Sequence, residues 1–291
     1  MSHIRDLLAD GPTLSVEFFP PKTDEAERQL AKTLTELNEI DLSFVSVTYG
    51  AGGTTRDRTR DLVVEISAEH EFPAMAHLTC MAHTEDQLTS LLDDYAENGV
   101  HNILALAGDP PTDGSDPTGD FTYASELIEL IRTRGDFSIG VAAHPELHPR
   151  STDRASDRRH LADKLAAADF GVTQFFFYAE DYLAMVDELE ALGCDVPVLP
   201  GVIPVVTPVS IARFADMAGA RRPLDLWDRL ESLADDPEER LKVAVDHAAT
   251  LTQDLLDRGV PGVHFYALNR SEATLAVCSE LGLGGLGAAA R

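Results

Sequence analysis

Only three cysteines, Cys80, Cys194 and Cys278, occur in the 291 residues. They are odd in number, far apart and form no CxxC pair. Neither a disulfide framework nor a zinc site is indicated, and a reducing, cytoplasmic compartment fits best. Lysine is almost as scarce. Lys22, Lys32, Lys164 and Lys242 are the four lysines among 23 basic residues, which face 50 acidic ones for a formal charge of −27. That charge argues against nucleic acid and anionic membrane surfaces as partners. No apolar run approaches the roughly 20 residues that span a bilayer, and the start, Met1 to Asp10, lacks the apolar stretch of a secretory signal.

Many acids with few lysines suit a solvated acidic surface of the salt-adapted kind. The alternative is a GC-rich genome that exchanges Lys for Arg without selection for salt. On the first reading, unfolding followed against KCl should show stability rising toward molar salt; a flat series would leave base composition as the explanation.

What the chain does have is alternation. Short apolar runs rich in β-branched and aromatic residues lie at Leu14–Phe19, Phe44–Tyr49, Ala74–Cys80, Asn102–Ala107, Ser138–Ala143, Val172–Phe177, Val196–Ile203 and Val263–Leu268. Several are nearly continuous in apolar character, as parallel strands buried on both faces are. The spacing between them predicts helices over Asp24–Ile40, from Thr84 as an N-cap, and over Tyr123–Arg134, Asp153–Ala168, Asp181–Leu192, Pro208–Ala218, Leu224–Ala234 and Pro237–Arg258. Gly99 and Gly193 stand where helices should stop. Asp109–Thr122 reads as a long loop, and the Gly- and Ala-rich tail after Leu281 as frayed.

Eight such alternations predict an α/β fold, a (β/α)8 TIM barrel forming one domain over residues 1–291 with its core at about 13–283. An open doubly wound sheet is the alternative, but no Gly-rich dinucleotide-binding turn follows any predicted strand.

A barrel carries its chemistry at the C-terminal ends of its strands. The polar residues there are Glu17, Thr48, Tyr49, His77, Thr79, Asp109, His144, His148, Gln174, Asn269 and Arg270. No lysine falls in a predicted strand, which disfavours Schiff-base chemistry. His144 and His148 are four apart, but Pro145 and Pro149 argue against a helix presenting both, so no metal is expected. Glu17 sits between Val16 and Phe18 on a strand that should be buried. Such a carboxyl must be solvated at a cavity, paired or protonated; a desolvated one can serve as a proton donor. A structural Glu tied to an arginine inside the barrel is the other reading. Asp109 follows Gly108 and precedes Pro110 and Pro111, a pattern that allows close approach to a ligand but equally a simple turn.

Seven motifs in order resemble the methylenetetrahydrofolate reductase family. They are Val-Glu-Phe-Phe-Pro-Pro-Lys (16–22), Phe-Val-Ser-Val-Thr-Tyr-Gly-Ala (44–51), His-Leu-Thr-Cys (77–80), Gly-Asp-Pro-Pro (108–111), Pro-Glu-Leu-His-Pro (145–149), Thr-Gln-Phe-Phe-Phe (173–177) and His-Phe-Tyr-Ala-Leu-Asn-Arg (264–270). The resemblance implies an FAD-dependent reduction of 5,10-methylenetetrahydrofolate to 5-methyltetrahydrofolate with NADH or NADPH, in one-carbon metabolism and methionine biosynthesis. It also implies a homo-oligomer.

Carried over by motif, Glu17 is the general acid, and Asp109 lies between flavin and pterin. Gln174, Tyr266 and Arg270 bind substrate. Thr48, His77, Gly108, Asp109, Tyr123, Ala124, His144, His148, Asp157 and Lys164 hold the FAD. On the residues alone, Thr48 and Gly108 could instead shape the rim, Tyr123 and Ala124 could pack a helix, and Asp157 and Lys164 could be solvated helix charges. His264 reads as a buried structural histidine and Cys80 as a packed thiol. The chain departs from the family pattern at Ala107, where Arg is frequent, at His144, where Tyr is frequent, and at Pro208, which aligns with a ligand-packing Phe. These departures bear on FAD binding. They keep a flavin-free or deazaflavin-linked reductase as an alternative; a folate-binding barrel without turnover is a separate one, against which Glu17 and Asp109 argue.

Overall fold

A computed structural model describes residues 2–49, 56–108 and 119–285. Eight parallel strands close into a barrel in chain order: β1 (Thr13–Phe18), β2 (Phe44–Val47), β3 (Ala74–Thr79), β4 (Asn102–Leu106), β5 (Ser138–Ala143), β6 (Phe170–Phe175), β7 (Val198–Val202) and β8 (Gly262–Tyr266). All eight coincide with the expected runs. β6 and β8 begin earlier than periodicity suggests, because Phe170 pairs with Gly140 and Gly262 with Thr13. A glycine has no apolar side chain to announce the start of a strand.

Helices follow each strand. α1 (Ile4–Asp10) comes first, then α2 (Asp24–Leu37), α3 (Arg56–Glu69), α4 (Glu85–Glu97), α5 (Ala124–Arg134), α6 (Arg154–Ala167), α7 (Ala179–Ala191), α8 (Pro208–Ala218), α9 (Leu224–Ser232), α10 (Pro237–Asp257) and α11 (Glu272–Leu281). Thr84 caps α4 through a reciprocal box with Gln87, as expected of its sequence. Gly99 and Gly193 adopt φ of 76° and 78° just past helix ends.

Three helices, α1, α3 and α11, go beyond those that the sequence pattern predicts. α1 precedes β1 in the chain. Its Ile4 is fully buried among the inward side chains Phe44, Met75, Leu104, Phe170, Val172 and Leu199. Ile4 N–H also donates to Asn102 Oδ1 at 2.8 Å. The helix thus plugs the N-terminal end of the barrel, leaving the C-terminal end for chemistry.

Strand alternation divides the side chains. Leu14, Val16 and Phe18 on β1, with Val45, Val47, Ala76 and Leu78, join the large core between barrel and helices. Ser15 and Glu17 therefore take the opposite, inward face, together with Ser46, His77, Gln174, His264 and Tyr266 by the same period. No helix among the described residues is long and apolar enough to cross a membrane.

Candidate active site at the C-terminal barrel end

Glu17 is the penultimate residue of β1, and its side chain is 17% exposed. Its Oε2 lies 3.4 Å from His77 Nε2 and 3.8 Å from His264 Nε2. Neither contact is an arginine pair, so the structural reading of Glu17 finds no support among the described residues. Burial drives the His77 imidazole down to about 4 against the opposing pull of Glu17. At neutral pH the ring is uncharged, and the contact is not an ion pair. His77 Nε2 is buried and has no hydrogen-bond partner among the described residues. Such an atom is costly unless something occupies its line of approach.

His264 is completely buried, as expected. It is held by Ser15 Oγ at Nδ1 (2.8 Å) and by Ser46 Oγ at Nε2 (3.4 Å). Its ring meets Tyr266 edge-on at 5.4 Å. The Tyr266 hydroxyl donates to Thr173 O at 2.6 Å, and burial raises its pKa well above the usual tyrosine range. Tyr266 therefore offers its ring, not its hydroxyl, to the inward face of the barrel. Gly201 makes room for it: a Cβ there would lie 2.5 Å from Tyr266 Cε2. Next to Thr173, Gln174 turns its amide oxygen onto Phe175 N–H at 3.0 Å, and its amide nitrogen has no partner among the described residues.

A second group gathers at the end of β5. His144 and His148 stack edge to face at 4.6 Å. Burial, then the charges of its neighbours, takes His144 down to about 4, so it is neutral. The His148 N–H and the Ser151 hydroxyl donate to Asp157 Oδ1 at 3.3 and 2.6 Å. Lys164 Nζ donates to Ala142 O at 2.6 Å, and burial lowers its pKa to about 8 despite Asp157 nearby. Asp157 and Lys164 are thus not solvated helix charges.

Sequence reasoning missed Arg158, which organises this group. Its guanidinium donates to Asp157 Oδ2 at 2.7 Å, to Glu188 Oε2 at 2.7 Å and to the carbonyls of His144, Pro145 and Glu146. A signal was present: Arg158, Leu161 and Leu165 stand on one helical stripe, and all are buried.

The remaining candidates lie separately around the rim. Thr48 N–H donates to Phe18 O at 2.8 Å and so ends the β1–β2 ladder. Gly108 has φ 94°, and a Cβ on it would come within 3.1 Å of Thr79 Cβ, so the backbone approaches β3 as only glycine allows. Tyr123 is 66% exposed and precedes Ala124, the first residue of α5. Arg270 is exposed, with no side-chain partner among the described residues. Cys80 is buried, and burial raises its thiol to about 11, which makes it inert packing. Asp109 lies outside the described residues. Among the described residues no group of three His, Cys, Asp or Glu side chains is placed to hold a metal ion.

The family model described as methylenetetrahydrofolate reductase matches residues 3–282. The 5,10-methylenetetrahydrofolate reductases of Pectobacterium carotovorum and Escherichia coli are each 39% identical over 271 residues, covering 93% of this chain and 90% of theirs. Methylenetetrahydrofolate reductase 1 of Schizosaccharomyces pombe is 35% identical over 93% of this chain but only 46% of its own. The barrel also superposes on an uncharacterized Clostridium thermocellum protein that binds two copies of 5-methyl-5,6,7,8-tetrahydrofolic acid. There the TM-score is 0.61 at 14% identity, covering 96% of this chain and 99% of that one, a likeness of fold alone.

Proposed function

Because the chain belongs to the methylenetetrahydrofolate reductase family, we propose that it reduces 5,10-methylenetetrahydrofolate to 5-methyltetrahydrofolate with electrons from NADH or NADPH, by way of FAD. The observation that carries this reading is Glu17. It is an inward carboxyl at a strand end, with two buried imidazoles against one oxygen and no cation paired to it among the described residues.

The chain's own residues fit FAD. The buried, unpartnered Nε2 of His77 and the bare backbone of Gly108 are what a flat, hydrogen-bonding cofactor laid across the barrel mouth would use. His144, held neutral by burial, together with His148, Asp157 and Lys164, would hold its more polar parts. Thr48, Tyr123 and Ala124 would border it at the rim. When bound, FAD accepts hydride from the nicotinamide and gives it to the folate.

The protein's own task is protonic and positional. The product carries its methyl on N5, so the bond that breaks is the one from the methylene carbon to N10. Glu17 donates a proton to N10 as that bond opens, the electron pair remains on N10, and the N5 iminium is left to receive hydride at carbon. Gln174 has a free amide N–H2 for a pterin or nicotinamide carbonyl. Tyr266 supplies a ring to pack against the substrate, and Arg270 a cation for the folate carboxylates. Asp109 is assigned the place between flavin and pterin. The whole chain works as one catalytic domain, in the cytoplasm, as a homo-oligomer, and its product serves methionine biosynthesis.

The purified protein should show a flavin absorption band, and NADH oxidation should accelerate when methylenetetrahydrofolate is added. Ala107 favours one second reading, because it withdraws a charged donor from the cofactor side. A colourless protein that still oxidises NADH with folate would establish direct hydride passage. No folate-dependent oxidation from either nicotinamide would overturn the proposal.

A further inference from the structure

The β1–β8 ladder, the seam where the barrel closes, ends at the pair Glu17 and Tyr266. Beyond it β8 turns away. Leu268 and Asn269 both take the left-handed conformation, with φ of 50° and 59°, which a non-glycine residue adopts only under constraint. The constraint is visible. Asn269 is 5% exposed, and its side chain brackets the residue just past the end of β1. Phe19 N–H donates to Asn269 Oδ1 at 2.9 Å, and Asn269 Nδ2 donates to Phe19 O at 2.8 Å. A primary amide carries the same donor and acceptor as a peptide group, so Asn269 extends the ladder by one residue where the β8 backbone cannot.

Phe18 O, facing the other way, is taken by Thr48 N–H. The end of β1 is thus gripped on both flanks, immediately past Glu17. The turn itself is anchored from outside the barrel: Thr33 Oγ1 on α2 donates to Asn269 O at 3.1 Å, and Ser271 Oγ bonds Glu36 on the same helix.

We infer that Asn269 is a positioning residue for Glu17, fixing the carboxyl's approach to the substrate nitrogen and keeping Arg270, next in the chain, in register with it. Asn269 touches no reacting atom in this scheme; it acts through the strand end. The inference rests on the proposed acid role of Glu17.

The test uses Asn269→Gly, because glycine keeps the left-handed turn and removes only the amide. Asn269→Asp keeps the acceptor for Phe19 N–H but opposes Phe19 O with a second acceptor. Both are measured for methylenetetrahydrofolate reduction in the wild-type and Glu17→Gln backgrounds, with thermal unfolding as the check on folding. A misplacement of about 1 Å can cost on the order of 100-fold, so kcat should fall about 10- to 100-fold in Asn269→Gly, with KM for folate changing less than about threefold. In the Glu17→Gln background the same substitution should cost nothing further, because the group it positions is already gone. Equal losses in both backgrounds, or retained kcat in a folded Asn269→Gly enzyme, would overturn the positioning role while leaving Glu17 as the acid. A Glu17→Gln enzyme with undiminished folate reduction would overturn the acid assignment and this inference with it.

Discussion

Glu17→Gln should lower methylenetetrahydrofolate reduction by roughly 10²- to 10⁴-fold, the range that a positioned acid contributes, while the proposed reduction of FAD by NADH continues. The substitution is nearly isosteric. It keeps a polar group at 3.4 Å from His77 and 3.8 Å from His264, so the walls of the site need not move. What it removes is the transferable proton. A nicotinamide gives up hydride without needing an acid, whereas N10 must be protonated to leave. The two half-reactions should therefore separate in stopped-flow traces, flavin bleaching at its normal rate and folate-dependent reoxidation almost absent. A loss shared equally by both would mean that Glu17 shapes the cavity without serving as its proton source.

Replacing Arg158 with Met should cost about 3–5 kcal/mol of stability, the penalty for breaking a buried ion pair from one side. The Arg158 side chain is 3% exposed and that of its partner Asp157 8%. Without the guanidinium, Asp157 keeps the Ser151 hydroxyl and the His148 N–H, the carbonyls of His144 and Pro145 lose the Arg158 donor, and Glu146 O is left with Arg154 Nη1 at 3.1 Å. For a chain of this size the loss corresponds to a fall in Tm of roughly 5–8 °C. Lysine should rescue little, since one ammonium cannot reproduce the planar fork that reaches two carboxylates and three carbonyls together. The His144–His148 segment would loosen with it, so flavin retention through gel filtration should drop as well. A variant with unchanged Tm would show that the network is dispensable.

Both predictions turn on residues whose importance is unequally visible in the linear chain. Glu17 stands out from its immediate neighbours alone, because an acid flanked by Val16 and Phe18 on an apolar strand needs an explanation. Arg158 and Asn269 are harder. Arg158 lies on the stripe of Leu161 and Leu165, but without knowing that the β5 loop passes over that stripe a basic residue there looks like an error of phase. Asn269 reads only as a polar residue at a strand end. Its partner Phe19 is 250 positions away, and nothing local announces that an amide will stand in for a missing ladder bond. The helix α1 escapes for a related reason: with 7 residues it is too brief for a periodic pattern to stand out.

The sequence by itself determined the architecture. Strand-length apolar runs alternating with amphipathic stretches admit few solutions, and right-handed β–α–β crossovers repeated eight times close on themselves. It also determined which face of each strand looks inward, because side-chain direction alternates with period two. Tertiary structure alone decided how the inward residues are used. The Tyr266 hydroxyl is spent on Thr173, His77 Nε2 is left without a partner, and Glu17 sits between two imidazoles instead of beside an arginine. Those outcomes depend on which strand ends become neighbours and at what height, a consequence of barrel closure that no local stretch of chain encodes.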